Sequence, residues 1–121
     1  MPTFINRGLS MAYVYLISET PHPGETSGPW TKIGFSNNPP EWRLGANLKR
    51  GNSRALSVAA AFKYTTEAEA LAAERRAHQQ FANAGVGKEW FRVAWQDAAD
   101  WFASVGAVAR TAEDVAADKL R

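Results

Sequence analysis

Cysteine is absent from the chain, which excludes a disulfide framework, a thiolate zinc site and thiol catalysis. Long apolar runs are absent as well. None approaches the ~20 residues that a membrane span needs, and no basic-then-apolar leader stands before a small-residue cleavage site. The expectation is a soluble, cytoplasmic domain without a membrane partner. An excess of one charge is nearly lacking: 14 Lys and Arg against 12 Asp and Glu leave a net charge of +2, too little to identify an anionic partner. Internal repeats and low-complexity segments are missing too. What is there, 45% apolar and 12% aromatic residues in a chain of 121, is a globular composition sufficient for one domain with an ordinary core.

The distribution of charge says more than its sum. Lys32, Arg43, Lys49, Arg50 and Arg54 lie close together in the sequence, with only Glu41 of opposite sign among them. A one-sided basic stretch is the footprint of a surface that tracks phosphates, and equally of an ordinary solvated face.

Residues 1–11 contain Pro2 and Gly8 without hydrophobic period and read as an N-terminal arm. Ala12 to Ile17 is dense in β-branched and aromatic residues, a strand signal. Residues 19–29 carry three prolines and two glycines and read as a loop, and Trp30 to Phe35 as a second strand, antiparallel to the first because a parallel crossover would need a helix here. Asn38-Pro39-Pro40-Glu41 has the form of a helix start, with Asn38 as N-cap and Pro39 at the first helical position. That helix should run through Leu48 and stop at Gly51. Ala55 to Tyr64 reads as a third strand. Thr66 with Glu69 is a capping box opening the longest helix, which should end near Gly85. Glu89 to Trp95 reads as a short strand or extended segment, followed by a helix with Trp95, Ala98, Phe102 and Val105 at helical spacing. Thr111 with Asp114 caps a last one.

Within the longest helix, Leu71, Glu74, His78 and Phe81 are spaced so as to line one face. Leu71 and Phe81 should point at the core, which holds Glu74 and His78 on or beside the buried stripe. A carboxylate carried inward needs a partner, hydrogen bonds or a metal. Spacing alone leaves open whether Glu74 is a metal ligand or an ion-pair partner, and whether His78 is a functional or a satisfied core histidine.

With these elements in place, the chain resembles the GIY-YIG nuclease family, in the branch whose second motif reads K-I-G and whose domain closes with E-W-F. Tyr13-Val14-Tyr15 stands at the first motif and Lys32-Ile33-Gly34 at the second. Arg43 follows a Ser-x-x-Pro segment, Glu74 and His78 match an E-x-x-x-H helix, and Glu89-Trp90-Phe91 matches the closing motif. The match covers residues 12–95 and leaves 96–121 as a C-terminal helical extension. It implies an α+β fold with a small antiparallel sheet of about three strands flanked by helices. It also implies a metal-dependent endonuclease that cleaves nucleic acid, DNA rather than RNA, with Mg²⁺ or Mn²⁺. In that scheme Tyr15 is the general base, with Lys32 favouring its ionised form. Arg43 grips the phosphate, Glu74 holds one hard divalent ion, and Tyr13, His78 and Glu89 complete the catalytic set, with Lys49, Arg50 and Arg54 binding nucleic acid.

Read without that resemblance, Tyr13 and Tyr15 are core or edge aromatics, Lys32 keeps an edge strand soluble, Gly34 marks a bend or close approach, and Trp90 and Phe91 are core. Glu89 either orients other residues or caps the preceding loop. The first motif reads Y-V-Y rather than G-I-Y, and the asparagine that many members carry near the last strand is missing. No separate targeting domain is expected. The alternative function is a binding or protein-interaction module on the same fold, without catalysis.

Overall fold

The run Ala-Tyr-Val-Tyr-Leu-Ile opens the central strand of a five-stranded sheet, which explains why it is apolar on both alternating faces. The computed structural model describes residues 12–20, 29–43, 55–86 and 89–118, and within these the side chains of residues 20, 42, 43, 55, 56 and 118 lie outside the description. β1 (Ala12–Thr20) pairs antiparallel with β2 (Trp30–Ser36) on one side and with β3 (Ala55–Tyr64) on the other. Two strands of two residues, β4 (Trp90–Phe91) and β5 (Val108–Ala109), extend the sheet at its edges to the order β4-β2-β1-β3-β5. All pairings are antiparallel, and the fold is α+β.

The alternation of β1 splits the core in two. Ala12, Val14 and Leu16 face helices α2 (Glu67–Gln80) and α3 (Trp95–Ser104), joining Ile33, Phe62, Ala70, Ala73, Ala77, Ala98 and Phe102. Three alanines on the inner line of α2 let the helix sit close to the sheet, and the Phe62 and Phe102 rings stack at 4.6 Å. Truncating Phe102, which is fully buried, should cost about 3–5 kcal/mol. On the opposite face Tyr15 and Ile17 pack with Ala61, flanked by Val58 and Trp90.

Several expectations change in detail. The sheet has five strands rather than about three: β4 falls within the segment 89–95 that reads as a short strand or extended, while β5, two residues long, carries too little period to be seen. The loop expected from residue 19 begins later, since β1 continues to Thr20. Helix α1 (Pro40–Arg43) starts at Pro40, and the turn before it is tied by the Ser36 hydroxyl, which donates to the Asn38 carbonyl at 2.8 Å and accepts from its N–H at 3.0 Å. The expected continuation to Leu48 and stop at Gly51 lie outside the described residues, as does the N-terminal arm.

The Thr66 cap is present, with the Glu69 N–H donating to Oγ1 at 3.1 Å. However, α2 ends at Gln80 and a 3₁₀ turn over Ala82–Ala84 carries the chain to Gly85. The buried line of α2 is Ala70, Ala73 and Ala77, so Leu71 is only partly buried and Glu74 and His78 flank the core rather than enter it. In α3, Ala98 and Phe102 are buried while Val105 is exposed beyond the last turn. Residues 96–121, expected as a helical extension, hold most of α3, the strand β5 and helix α4 (Ala112–Asp118). Thr111 and Asp114 cap α4 reciprocally, at 2.7 and 3.1 Å. No helix among the described residues is long and apolar enough to cross a membrane.

Candidate functional site

The place where the two faces of the sheet meet is the outer edge of β2. β4 pairs with β2 only at Thr31 and Lys32, so beyond that point the edge is met by single groups. The Ile33 N–H donates to the Glu89 carbonyl at 3.0 Å, and His78 Nε2 lies 2.9 Å from the Ile33 carbonyl. A carbonyl oxygen only accepts, so Nε2 carries the hydrogen there. His78 thus fastens α2 to β2, its ring tilted against Phe91 at 5.2 Å.

Register places Lys32, Gly34 and Ser36 opposite Ile17, Tyr15 and Tyr13. Lys32 is 9% exposed, and its Nζ lies 2.7 Å from Glu89 Oε1. β2 lies inside the sheet, so Lys32 is no edge-strand charge; it is a buried cation that needs the carboxylate beside it. Tyr15 is fully buried and its ring covers Gly34, so the glycine serves a close approach.

Glu74, one helical turn before His78, is half-buried. Its carboxyl pKa is raised above the ordinary value, first by burial, with His78 pulling it down, Glu89 pushing it up, and Lys32 and Arg75 pulling it down. Its place on α2, one turn before the histidine that meets the Ile33 carbonyl, sets it toward the same β2 edge. Lys32, Glu89 and His78 thus meet at the β2 edge, with Glu74 one helical turn before His78 and Tyr15 lying across Gly34.

Tyr13 belongs elsewhere. It stands four strand positions from Ile17, the partner of Lys32, or about 13 Å at ~3.3 Å per residue. Its ring lies 5.6 Å beneath the Arg110 guanidinium, which grips Glu41 through two hydrogen bonds of 2.8 and 3.0 Å. This contact ties the segment before α4 to α1, the helical turn that carries Arg43. Sequence reading missed it because Arg110 and Glu41 are 69 positions apart. The basic stretch is not one open surface either, since Lys32 is buried and paired. The side chain of Arg43, and Lys49, Arg50 and Arg54 altogether, lie outside the described residues.

One cross-strand pair had no signal in the sequence. The Arg92 guanidinium sits over the Trp30 ring, 5.4 Å from its centroid, just past the Thr31–Phe91 and Lys32–Trp90 pairs. Only the register, which sequence does not supply, brings them together.

The donor set open to a divalent ion here is sparse. Glu74 offers hard oxygen, while among the described residues no three His, Asp or Glu side chains converge into a cage. Mg²⁺ commonly takes one or two carboxylates together with water and substrate phosphate. The residues fit an ion that arrives with a phosphate rather than a permanently caged one.

The family model that matches the chain is that of the T5orf172 domain, over residues 12–106. No GIY-YIG model matches, which corrects the resemblance drawn from the motifs. Tripeptides such as Lys-Ile-Gly and Glu-Trp-Phe are set largely by strand packing, and are too short to assign a family that is defined over the whole domain. No curated protein and no solved structure matches significantly. The family match is consistent with a nucleic-acid-related role. Since it spans most of the sequence, the chain belongs to the T5orf172 domain family.

Proposed function

We propose that this domain hydrolyses nucleic-acid phosphodiester bonds, DNA being the preferred substrate, with a divalent metal ion held by Glu74. The observation that carries this reading is the meeting of Glu74, Lys32, Glu89 and His78 at the β2 edge. Glu74 is half-buried, and among the described residues no hydrogen bond or ion pair holds its carboxylate. The buried cation on the neighbouring strand, Lys32, is held by a different carboxylate, that of Glu89.

In-line attack on phosphorus needs a proton acceptor for water and positive charge at the phosphate oxygens. A Mg²⁺ or Mn²⁺ ion bound with the substrate supplies Lewis-acid charge at those oxygens. Glu74 holds that ion, and ionisation is required for it to do so. Lys32 adds positive charge from the neighbouring strand, and Glu89 keeps it oriented. His78 fixes α2, and hence Glu74, against β2 through the Ile33 carbonyl. The phenol of Tyr15 is assigned as the proton acceptor, because it borders Lys32 on the shared face. Arg43, on α1, is assigned to the phosphate.

A second reading is favoured by one observation: Tyr15 is fully buried and Lys32 is paired, as in a frame that binds nucleic acid or protein without cutting. One experiment separates the two. Supercoiled, linear, branched and single-stranded DNA are incubated with the protein in Mg²⁺, Mn²⁺ or EDTA. Cleavage in either metal, absent in EDTA and in Tyr15→Phe, supports hydrolysis; binding without cleavage of any substrate supports the second reading.

A further inference from the structure

The Trp30–Arg92 pair has no part in the proposed chemistry. Side chains alternate along a strand, so Trp30 and Lys32 of β2 share a face, and the Arg92 guanidinium lies over that Trp30 ring. Lys32 pairs with Trp90 in register, and Trp90 packs beside Tyr15 and Ile17. The face that carries Lys32 and Tyr15 therefore continues outward to Trp30 and Arg92. Two residues of strand, about 7 Å, separate Trp30 from Lys32, roughly two nucleotide rises of ~3.4 Å along a nucleic-acid strand.

Arg92 is exposed. Its backbone is fixed by a 2.8 Å hydrogen bond from its N–H to the Ala84 carbonyl. Among the described residues its guanidinium has no ion pair or side-chain hydrogen bond, and its contact is the Trp30 ring. A planar cation laid on an indole is restrained in orientation yet keeps its N–H donors for another acceptor. Trp30 is half-buried, so the ring that supports it is itself anchored in the sheet.

We propose that Arg92 contacts a backbone phosphate of the nucleic acid flanking the bond at the Glu74–Lys32 cluster, and that Trp30 is the positioning residue that holds its guanidinium. This rests on the nucleic-acid reading above, and assigns a substrate contact to two residues outside the proposed chemistry. The contact is to phosphate, so it is independent of base sequence.

The test is binding, measured by fluorescence anisotropy with a labelled DNA oligonucleotide in EDTA over a range of salt concentrations, where cleavage plays no part. Arg92→Ala should weaken binding and reduce the slope of log affinity against log salt by about 0.7–0.9, one lost phosphate contact. Trp30→Ala should reproduce the loss while Arg92 is still present, Trp30→Phe should restore most of it, and the double variant should bind no worse than Arg92→Ala. An unchanged slope in Arg92→Ala overturns the contact. A normal slope in folded Trp30→Ala overturns the positioning role, and so does an affinity that Trp30→Phe fails to recover. Wild type that binds no DNA overturns this proposal together with the nucleic-acid reading. Wild type that binds with an altered slope in Arg92→Ala but never cleaves keeps the contact and overturns only the hydrolysis.

Discussion

The ring of Tyr15 lies directly across Gly34: a Cβ at residue 34 would stand 2.5 Å from both Cζ and the phenolic oxygen. The two residues are cross-strand partners, and the phenol occupies the space that any side chain at 34 would need. Because Tyr15 is fully buried, it cannot swing into solvent to make room. Gly34→Ala should therefore destabilise the fold by about 1–3 kcal/mol, the usual range for overpacking. Tyr15→Phe should not rescue it, since the Cζ contact remains. Denaturant unfolding of the two single variants and the double variant checks this. A Gly34→Ala protein as stable as wild type would mean that the ring is not held where it lies.

The Lys32–Glu89 pair should respond unequally to loss of either partner. The Lys32 side chain is 11% exposed and that of Glu89 37%. Glu89→Ala strands a buried ammonium, at a cost of about 1–3 kcal/mol. Lys32→Met leaves a carboxylate that water can still reach and an apolar side chain in a buried place, so it should cost less. Urea unfolding of both variants decides the order; equal losses would mean that the pair is effectively a surface one.

At the far edge of the sheet, Asp114 receives a hydrogen bond from the Thr111 N–H and lies 2.9 Å from Lys63. Chiefly through the Thr111 backbone bond, then Lys63, its pKa is lowered to about 2. A carboxylate lowered in the fold adds stability above its unfolded pKa of ~3.9, and loses it as pH falls toward the folded value. Asp114→Asn should therefore melt below wild type at pH 7, with the gap closing between about pH 4 and 2. Melting curves across that range test it. A gap that persists undiminished at pH 2 would place the effect outside the ionisation of Asp114.

Much of this frame was legible in the sequence because it is local. The Thr66–Glu69 and Thr111–Asp114 caps, the first three strands and the hairpin pairing all depend on residues close in sequence or on simple periodicity. Placement of Glu74 and His78 beside the core followed from helical spacing, although the buried line proved to be the alanines Ala70, Ala73 and Ala77 rather than one led by Leu71. What stayed hidden is set by long-range register. Arg110 reaching Glu41, Arg92 lying on Trp30 and β5 extending β3 join distant segments, and nothing at either end marks the partner. Family assignment failed for a related reason: Tyr13-Val14-Tyr15 and Lys32-Ile33-Gly34 reflect a packed hairpin, and Tyr13 itself serves Arg110 rather than the Glu74 cluster.

Glu74 carries the central claim. Burial raises its carboxyl pKa, so its ionised form is less favourable in the fold than in the unfolded chain. Stability should then decline as pH rises from the ordinary carboxylate range of ~4.3 through the raised value, and remain lower above it. Glu74→Gln removes that decline, and at neutral pH without metal it should melt at or above the wild-type temperature. Metal-dependent activity should fall as pH drops through the same raised pKa, since protons and the cation compete for one carboxylate. The most direct measurement is the cleavage rate of supercoiled DNA by wild type and Glu74→Gln in Mg²⁺ or Mn²⁺, with melting temperatures recorded in EDTA. The expected result is cleavage by wild type, loss of at least a hundredfold in Glu74→Gln, and a melting temperature that does not fall. A Glu74→Gln protein that melts several degrees lower and cleaves DNA at the wild-type rate would show that Glu74 is a structural partner and holds no metal.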